Sequence, residues 1–178
     1  CREHGVVALG TQLAHAGRKA STRPPLDGGG SLGLEEGGWQ TIAPSALAYG
    51  DWHTPLELDR AGLNQVKAQF VEATVRADRI GFDLIEVHGA HGYLIHQFCS
   101  PLSNHRTDEY GGSLDNRIRF PLEVFEAMRA VWPTDKPMGM RITAKDWVDG
   151  GWDLDDCVYF ANALKVLGCD FVDVSSGG

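Results

Sequence analysis

The sequence is poor in the features that mark metal-binding, membrane and nucleic-acid-binding proteins. Its 178 residues include only four cysteines, with no C-x-x-C pair, which argues against zinc-finger and iron–sulfur sites. No apolar run approaches the roughly 20 residues that a membrane helix needs, and no signal-peptide pattern is visible. The formal charge of -8 comes without a basic run, which argues against nucleic acid or an anionic membrane as a partner. We therefore expect a reduced, cytoplasmic protein that binds a small molecule.

The remaining composition is ordinary for one globular domain or part of one, with 43% hydrophobic and 22% charged residues. The first residue is Cys1 rather than methionine, and CREHG reads like a helix that ends at Gly5. We therefore expect that residues upstream have been removed.

Strand and helix patterns alternate along the chain. The strand candidates are residues 6–13, 83–87, Met138–Thr143 and 170–174, and the helical patterns cover residues 59–80, 114–132 and 153–167. This alternation predicts an α/β fold with parallel strands. Four strands alone do not distinguish a barrel from a doubly wound sheet.

Two long connections follow the first two strand candidates. Residues 21–55 are rich in glycine and proline, and residues 100–112 are polar and charged. Both lie at the carboxyl ends of parallel strands, where α/β proteins place ligand sites. We therefore expect the functional face of the sheet there.

The clearest chemical motif is HGAHGYL, which directly follows the second strand candidate and contains His88, His91 and Tyr93. Two imidazoles on a glycine-containing turn can converge on one oxygen and donate hydrogen bonds to a polarised carbonyl. A nearby phenol can supply a proton. The set suits chemistry in which a carbon near a carbonyl is reduced and protonated.

Other interpretations of these histidines stay open. The pair can be purely structural, or it can bind zinc with a third ligand from elsewhere in the chain. The candidates for that ligand are His15, His96 and His105. Spacing identifies none of them, and we predict no metal site.

Two polar residues on strands, Gln12 and Arg141, indicate a cofactor. An arginine inside the apolar strand MGMRIT costs free energy unless it meets an anion or a hydrogen-bonded partner. A fixed guanidinium would stabilise the negative charge of a reduced flavin. The structural alternative is an ion pair with Glu86, which strand alternation places on the same face as His88. Both can hold at once.

Longer stretches of the sequence resemble one family. They are TQLAHAGRK (11–19), IAPSA (42–46), GFDLIEVHGAHGYLIHQFCSPLSNHRTDEYGGSLDNRIRF (81–120) and VDVSSG (172–177). They look like consecutive motifs of the old yellow enzymes, in the order and with the spacing of that family. The similarity covers essentially the whole chain.

This resemblance implies a (β/α)8 TIM barrel that binds FMN at its mouth. Residues 1–178 would form the central part of this single domain, roughly strands three to six, incomplete at both ends. FMN would be reduced by NADPH or NADH and reoxidised by an activated alkene, such as an enone or a nitroalkene. Whether the full-length enzyme is a homo-oligomer is left open.

The resemblance also implies roles for individual residues. Gln12 matches the glutamine at the flavin pyrimidine edge, and Arg141 matches the arginine near flavin N1. His88 and His91 match the pair that holds the carbonyl or nitro oxygen of the substrate. Tyr93 matches the tyrosine that protonates the alpha carbon after hydride arrives from flavin N5 at the beta carbon.

Further residues match the family in the second long connection, and we interpret them as loop architecture. They are Arg106, Asp108, Tyr110, Gly111, Gly112, Asn116 and Arg117. The family's phosphate-binding loops belong to strands absent from this chain, so we expect the isolated chain to bind FMN weakly and to be inactive. The alternative functions are a metal-dependent barrel hydrolase, a hydrolase that uses Glu86 and Asp173 as acid and base, and a non-catalytic barrel fragment.

Overall fold

The computed structural model describes residues 2–5 and 7–177, so Cys1 and the predicted strand start at Val6 lie outside the described residues. The strands are β1 (Gly10–Leu13), β2 (Ile42–Ala43), β3 (Leu56–Glu57), β4 (Leu84–Gly89), β5 (Met138–Thr143) and β6 (Phe171–Ser175). The α-helices are α1 (Arg60–Arg79), α2 (Leu94–Cys99), α3 (Leu114–Arg129) and α4 (Leu154–Val166). No helix in the described part of the chain is long and apolar enough to cross a membrane.

The main sheet has four parallel strands in the order β1-β4-β5-β6. Each strand pairs with the strand of this sheet that comes next in the sequence, so the order never reverses. A doubly wound sheet reverses its strand order at the ligand-binding crevice, whereas a barrel continues in one direction. The unreversed strand order is the one that a barrel segment requires.

The long helices begin and pack as their sequences predict. The Asp59 side chain accepts a hydrogen bond from the Gly62 N–H at 2.7 Å and caps α1, and Ser113 caps α3 in the same way. The buried residues of α1 form one stripe, which consists of Leu63, Val66, Phe70, Thr74 and Ala77. The three predicted helices are confirmed, with α3 ending at Arg129 rather than Trp132.

The two faces of the sheet differ in polarity. The apolar face of β4 and β5 is buried in the core with the helices, and its residues include Ile85, Val87, Met138 and Met140. The opposite face carries polar residues: Gln12, Glu86, His88, Arg141 and Asp173. A sheet covered by helices on one face and polar on the other matches one side of a barrel wall.

Residues 100–112 are fastened to the first long connection by Arg106. Its guanidinium donates to the Pro44 and Leu58 carbonyl oxygens at 2.9 and 2.6 Å, and it pairs with Asp108. Arg117 similarly donates to the Cys99 carbonyl oxygen at 2.7 Å. The interpretation of these residues as loop architecture is confirmed.

Candidate active site

The structure brings His88, His91 and Tyr93 together at the carboxyl end of β4. His88 is the penultimate residue of that strand and lies opposite Arg141 of β5. Its ring centroid lies 5.1 Å from that of His91 and 5.0 Å from that of Tyr93, with interplanar angles of 55° and 81°. A tight turn makes this convergence possible, because Tyr93 N–H donates to the Ala90 carbonyl oxygen at 3.1 Å.

Sequence reasoning missed two elements of this arrangement. The first is α2, whose six residues are all buried; it is too short to show a helical period. The second is Ser175, whose hydroxyl lies 2.6 Å from Nε2 of His91. The serine pair that ends VDVSSG follows a strand at the functional face, which was the available signal.

The two histidines are neutral at pH 7. Burial, reinforced by His91 and Arg141, lowers the pKa of His88 from 6.5 to about 4. Burial and the Arg141 charge also lower the pKa of His91. Each neutral imidazole carries one N–H and can donate one hydrogen bond to a ligand oxygen.

The ion pair of Arg141 is formed with Asp173 of β6, with 3.4 Å between Nε and Oδ2. The hypothesis that Glu86 is its partner is wrong. Asp173 lies directly opposite Arg141 in the sheet, whereas Glu86 lies opposite Gly139. The carboxylate of Glu86 instead accepts a hydrogen bond of 2.5 Å from the Gln12 side-chain amide.

The other interpretations find less support in the contacts. Within residues 2–5 and 7–177, no group of three or more His, Cys, Asp or Glu side chains is placed to hold a metal ion. His15 and His96 accept hydrogen bonds from backbone N–H groups. The hydrolase pair is split, because Glu86 bonds Gln12 while Asp173 pairs with Arg141.

Two buried nitrogen atoms at this site make no hydrogen bond to any described residue. They are Nδ1 of His88 and Nε of Arg141. Nε of Arg141 keeps its 3.4 Å ion-pair contact with Asp173, whereas Nδ1 of His88 has no such contact. Buried polar atoms in folded proteins nearly always have a partner, so Nδ1 of His88 indicates a ligand contact. The arrangement provides hydrogen-bond donors, one fixed positive charge and a phenol at one edge of the sheet.

The sequence is similar to a known family of flavin-dependent enzymes. The model of the NADH:flavin oxidoreductase / NADH oxidase family matches residues 4–178. The NADPH dehydrogenase of Bacillus subtilis (strain 168) is 45% identical over 170 residues, which are 95% of this chain and 45% of that protein.

Solved structures agree in fold. Morphinone reductase superposes with a TM-score of 0.73 and 30% identity over 97% of this chain and 48% of its own. An old yellow enzyme homologue from Zymomonas mobilis superposes with a TM-score of 0.77 and 26% identity over 99% of this chain and 49% of its own. The chain thus spans about half the length of the relatives it matches.

Proposed function

The chain belongs to the NADH:flavin oxidoreductase / NADH oxidase family, the old yellow enzymes, and from this premise we propose that the whole protein reduces the C=C bond of activated alkenes. The cofactors of the family are FMN and NAD(P)H, and its fold is the TIM barrel. The observation that carries the proposal is that the rings of His91 and Tyr93 both lie about 5 Å from the ring of His88, which is opposite Arg141 in the sheet.

The residues at this face fit a flavin. Nε of Arg141 is buried without a hydrogen-bond partner among the described residues, and Gln12 is held in place by Glu86. We propose that Gln12 and Arg141 hold the flavin ring, with the guanidinium favouring the reduced, negatively charged form.

His88 and His91 would hold the oxygen of the activating group. Both are neutral, and each can donate a hydrogen bond to a carbonyl or nitro oxygen as negative charge develops on it. Nδ1 of His88 has no partner among the described residues and is available for this contact.

Tyr93 would supply the proton. When bound, FMN supplies hydride to the beta carbon of the alkene, and the Tyr93 phenol then protonates the alpha carbon. The balance is one alkene, one NAD(P)H and one proton converted to one saturated product and NAD(P)+. Tyr93 stacks edge-on against His88, so the phenol and the oxygen-binding histidine lie on the same side of the site.

The test uses the purified full-length protein that carries this segment, loaded with FMN. We expect oxidation of NADPH or NADH that depends on 2-cyclohexenone or a nitroalkene, with cyclohexene as the unactivated control. In D2O, deuterium should enter the product at the alpha carbon, because that proton comes from an exchangeable phenol. A product without deuterium at the alpha carbon, or equal rates with cyclohexene, would contradict the proposal.

A parallel measurement concerns the 178-residue chain alone. We expect it to retain little flavin absorbance after gel filtration with FMN, whereas the full-length protein retains it in stoichiometric amount. Tight FMN binding by the short chain would show that Gln12, Arg141 and their neighbours suffice for the cofactor.

A further inference from the structure

The turn that carries His91 and Tyr93 is held mainly by side chains rather than by the backbone. Each backbone polar group of His91 and Gly92 is bonded to the side chain of another residue. The contacts are His91 N–H to Thr143 Oγ1 (3.0 Å), Lys19 Nζ to His91 O (2.9 Å), Gly92 N–H to His96 Nδ1 (2.8 Å) and Gln97 Nε2 to Gly92 O (2.7 Å). This segment therefore depends on distant parts of the chain for its shape.

The shape of this turn is costly without such support. His91 has φ 58° and Gly92 has φ 67°, so two successive residues are left-handed. A left-handed conformation is unfavourable for a residue with a Cβ atom, and it persists only when the surroundings fix it. If one contact is lost, the His91 ring and the Tyr93 phenol should shift together.

The contact between Gly92 and His96 is supported by a second buried residue, Asp146. Because Gly92 N–H donates to Nδ1 of His96, this nitrogen carries no proton, and the ring proton lies on Nε2. Nε2 faces Oδ1 of Asp146 at 3.1 Å, bent away from ideal hydrogen-bond geometry. The side chains of His96 and Asp146 are 3% and 7% exposed.

Asp146 is itself fixed in one orientation. Its Oδ2 accepts hydrogen bonds from Ser100 Oγ at 2.6 Å and from Trp152 N–H at 2.9 Å. Burial would raise the pKa of Asp146, but the close His96 ring and the hydrogen bond from Ser100 outweigh burial and hold this pKa below its usual range. Asp146 is therefore a carboxylate at neutral pH and can only accept hydrogen bonds.

We propose that Asp146 and His96 form a positioning pair: Asp146 keeps the His96 proton on Nε2, so that Nδ1 holds the Gly92 amide and thereby fixes His91 and Tyr93 in their reactive arrangement. Neither residue touches the substrate. The effect of the pair on catalysis rests on the roles of His91 and Tyr93 proposed above. The tautomer of His96 and its hydrogen bond to Gly92 do not depend on those roles.

Asp146→Asn tests the carboxylate with a nearly isosteric change. An amide presents one NH2 group, so either Nε2–H of His96 or N–H of Trp152 then faces a donor. If the amide NH2 faces Nε2–H of His96, only a change of the His96 tautomer separates the two donors. The changed tautomer has a proton on Nδ1, opposite Gly92 N–H. Loss of an orienting carboxylate in this way has large kinetic effects in other enzymes.

Two variants of His96 separate positioning from packing. In His96→Asn the side-chain oxygen can occupy the place of Nδ1 and accept from Gly92 N–H, although it does not reach Asp146. In His96→Leu the volume is kept but the acceptor is lost. The buried hydrogen bond of Thr74 Oγ1 to the Phe70 carbonyl oxygen (2.9 Å) is far from the turn, and Thr74→Val is the matched control.

The kinetic experiment uses stopped-flow absorbance of the flavin in the FMN-loaded full-length protein. His96→Leu and Asp146→Asn should slow alkene reduction by roughly 100-fold, as expected for a displacement of about 1 Å, while flavin reduction by NADPH stays within about threefold of wild type. His96→Asn should recover most of the alkene rate, and Thr74→Val should keep it. Equal rates for His96→Asn and His96→Leu, or slowing of both half-reactions alike, would overturn the positioning pair.

A spectroscopic test does not depend on the reaction. Two-bond 1H–15N correlations of 15N-histidine in the full-length protein should show His96 with an unprotonated Nδ1 and a protonated Nε2. Its signals are identified by their absence from His96→Asn, and Asp146→Asn should change the pattern. A protonated Nδ1 in the wild type would overturn the positioning pair even if the protein is an ene-reductase. The predicted tautomer in a protein without alkene reduction would instead remove only the proposed function.

Discussion

The two faces of β4 and β5 show how one strand pair serves stability and chemistry at once. On the face that packs against the helices, Ile85, Val87 and Met140 are each 0% exposed and belong to one apolar core. On the other face, Nδ1 of His88 is buried without a hydrogen-bond partner among the described residues, and Arg141 pairs with Asp173. Side chains alternate along a strand, so the two sets are separated by a single residue step.

The difference between the two faces predicts whether a substitution changes the stability of the protein or its reaction. A change on the helix-packed face alters how much apolar surface is buried, so it should appear as a loss of unfolding free energy. A change on the polar face removes a contact that the fold does not require, so it should appear in the reaction. In the core of a protein, buried polar groups have hydrogen-bond partners. Exceptions to this rule occur mostly at functional sites.

The largest effect is expected from Val87→Asp, which places a carboxylate in the helix-packed core. Val87 is fully buried in the apolar core cluster, so burial of a charge there should cost more than about 4 kcal/mol and prevent stable folding. Glu86→Gln, one residue earlier on the polar face, is the matched control and should cost less than about 1 kcal/mol. Urea unfolding followed by circular dichroism gives both values, and a cooperative transition near wild type for Val87→Asp would break the comparison.

Tyr93→Phe should have the next largest effect, and only in the reaction. Loss of a general acid typically slows the protonated step by roughly 10²- to 10⁴-fold. We therefore expect slow alkene reduction, normal flavin reduction by NADPH and an unchanged urea midpoint. Stopped-flow traces that show slow flavin reduction with a normal alkene step would contradict the role of Tyr93.

His88→Ala should follow, because it removes one donor from a developing negative charge. Such a loss typically costs about 2.7–4 kcal/mol in the transition state. We expect weaker binding of a phenol such as 4-hydroxybenzaldehyde, measured by flavin absorbance, together with a lower alkene rate. Wild-type affinity and turnover in both His88→Ala and His91→Ala would remove these residues from the site.

Arg141→Ala should lower the reduction potential of the bound flavin, because the negative charge of the reduced form loses a fixed cation. A shift on the order of 30 mV corresponds to about 1.4 kcal/mol for a two-electron couple. Arg141→Lys keeps the charge and is the matched control. A redox titration in which Arg141→Ala shows no shift, or a higher potential, would leave Arg141 as a structural partner of Asp173.

The sequence predicted the elements better than the contacts between them. The three long helices follow from local periodicity, and the structure confirms them. The partner of Arg141 depends on strand register, which no local pattern determines. Alternation gave Glu86 the correct face, but the register places it two pairs away from Arg141.

The candidate site shows the same limit. The motif HGAHGYL was enough to predict that His88, His91 and Tyr93 meet, because they are close in sequence. Ser175 contacts His91 of this motif from 84 residues away, and Asp146 contacts Ser100, just beyond the motif, from 46 residues away. Contacts of such separation depend on how the strands stack side by side, which is a property of the whole sheet.

The smallest expected effect is the pH dependence that His88 gives to stability. Its folded pKa of about 4 lies below the ordinary 6.5, so between these values the unfolded chain binds more protons than the folded one. Stability should therefore fall as pH drops from about 6.5 towards 4, and His88→Gln should lack this part of the decline. The charged and titratable groups acting on His88 are His91, Arg141, His96 and Asp173, of which only Asp173 favours protonation.

The measurement is the difference in unfolding free energy between wild type and His88→Gln at several pH values between about 4 and 6.5. A wild type that gains stability relative to His88→Gln on acidification would show that Asp173 prevails over burial, and that the polar face holds a charged rather than a neutral histidine.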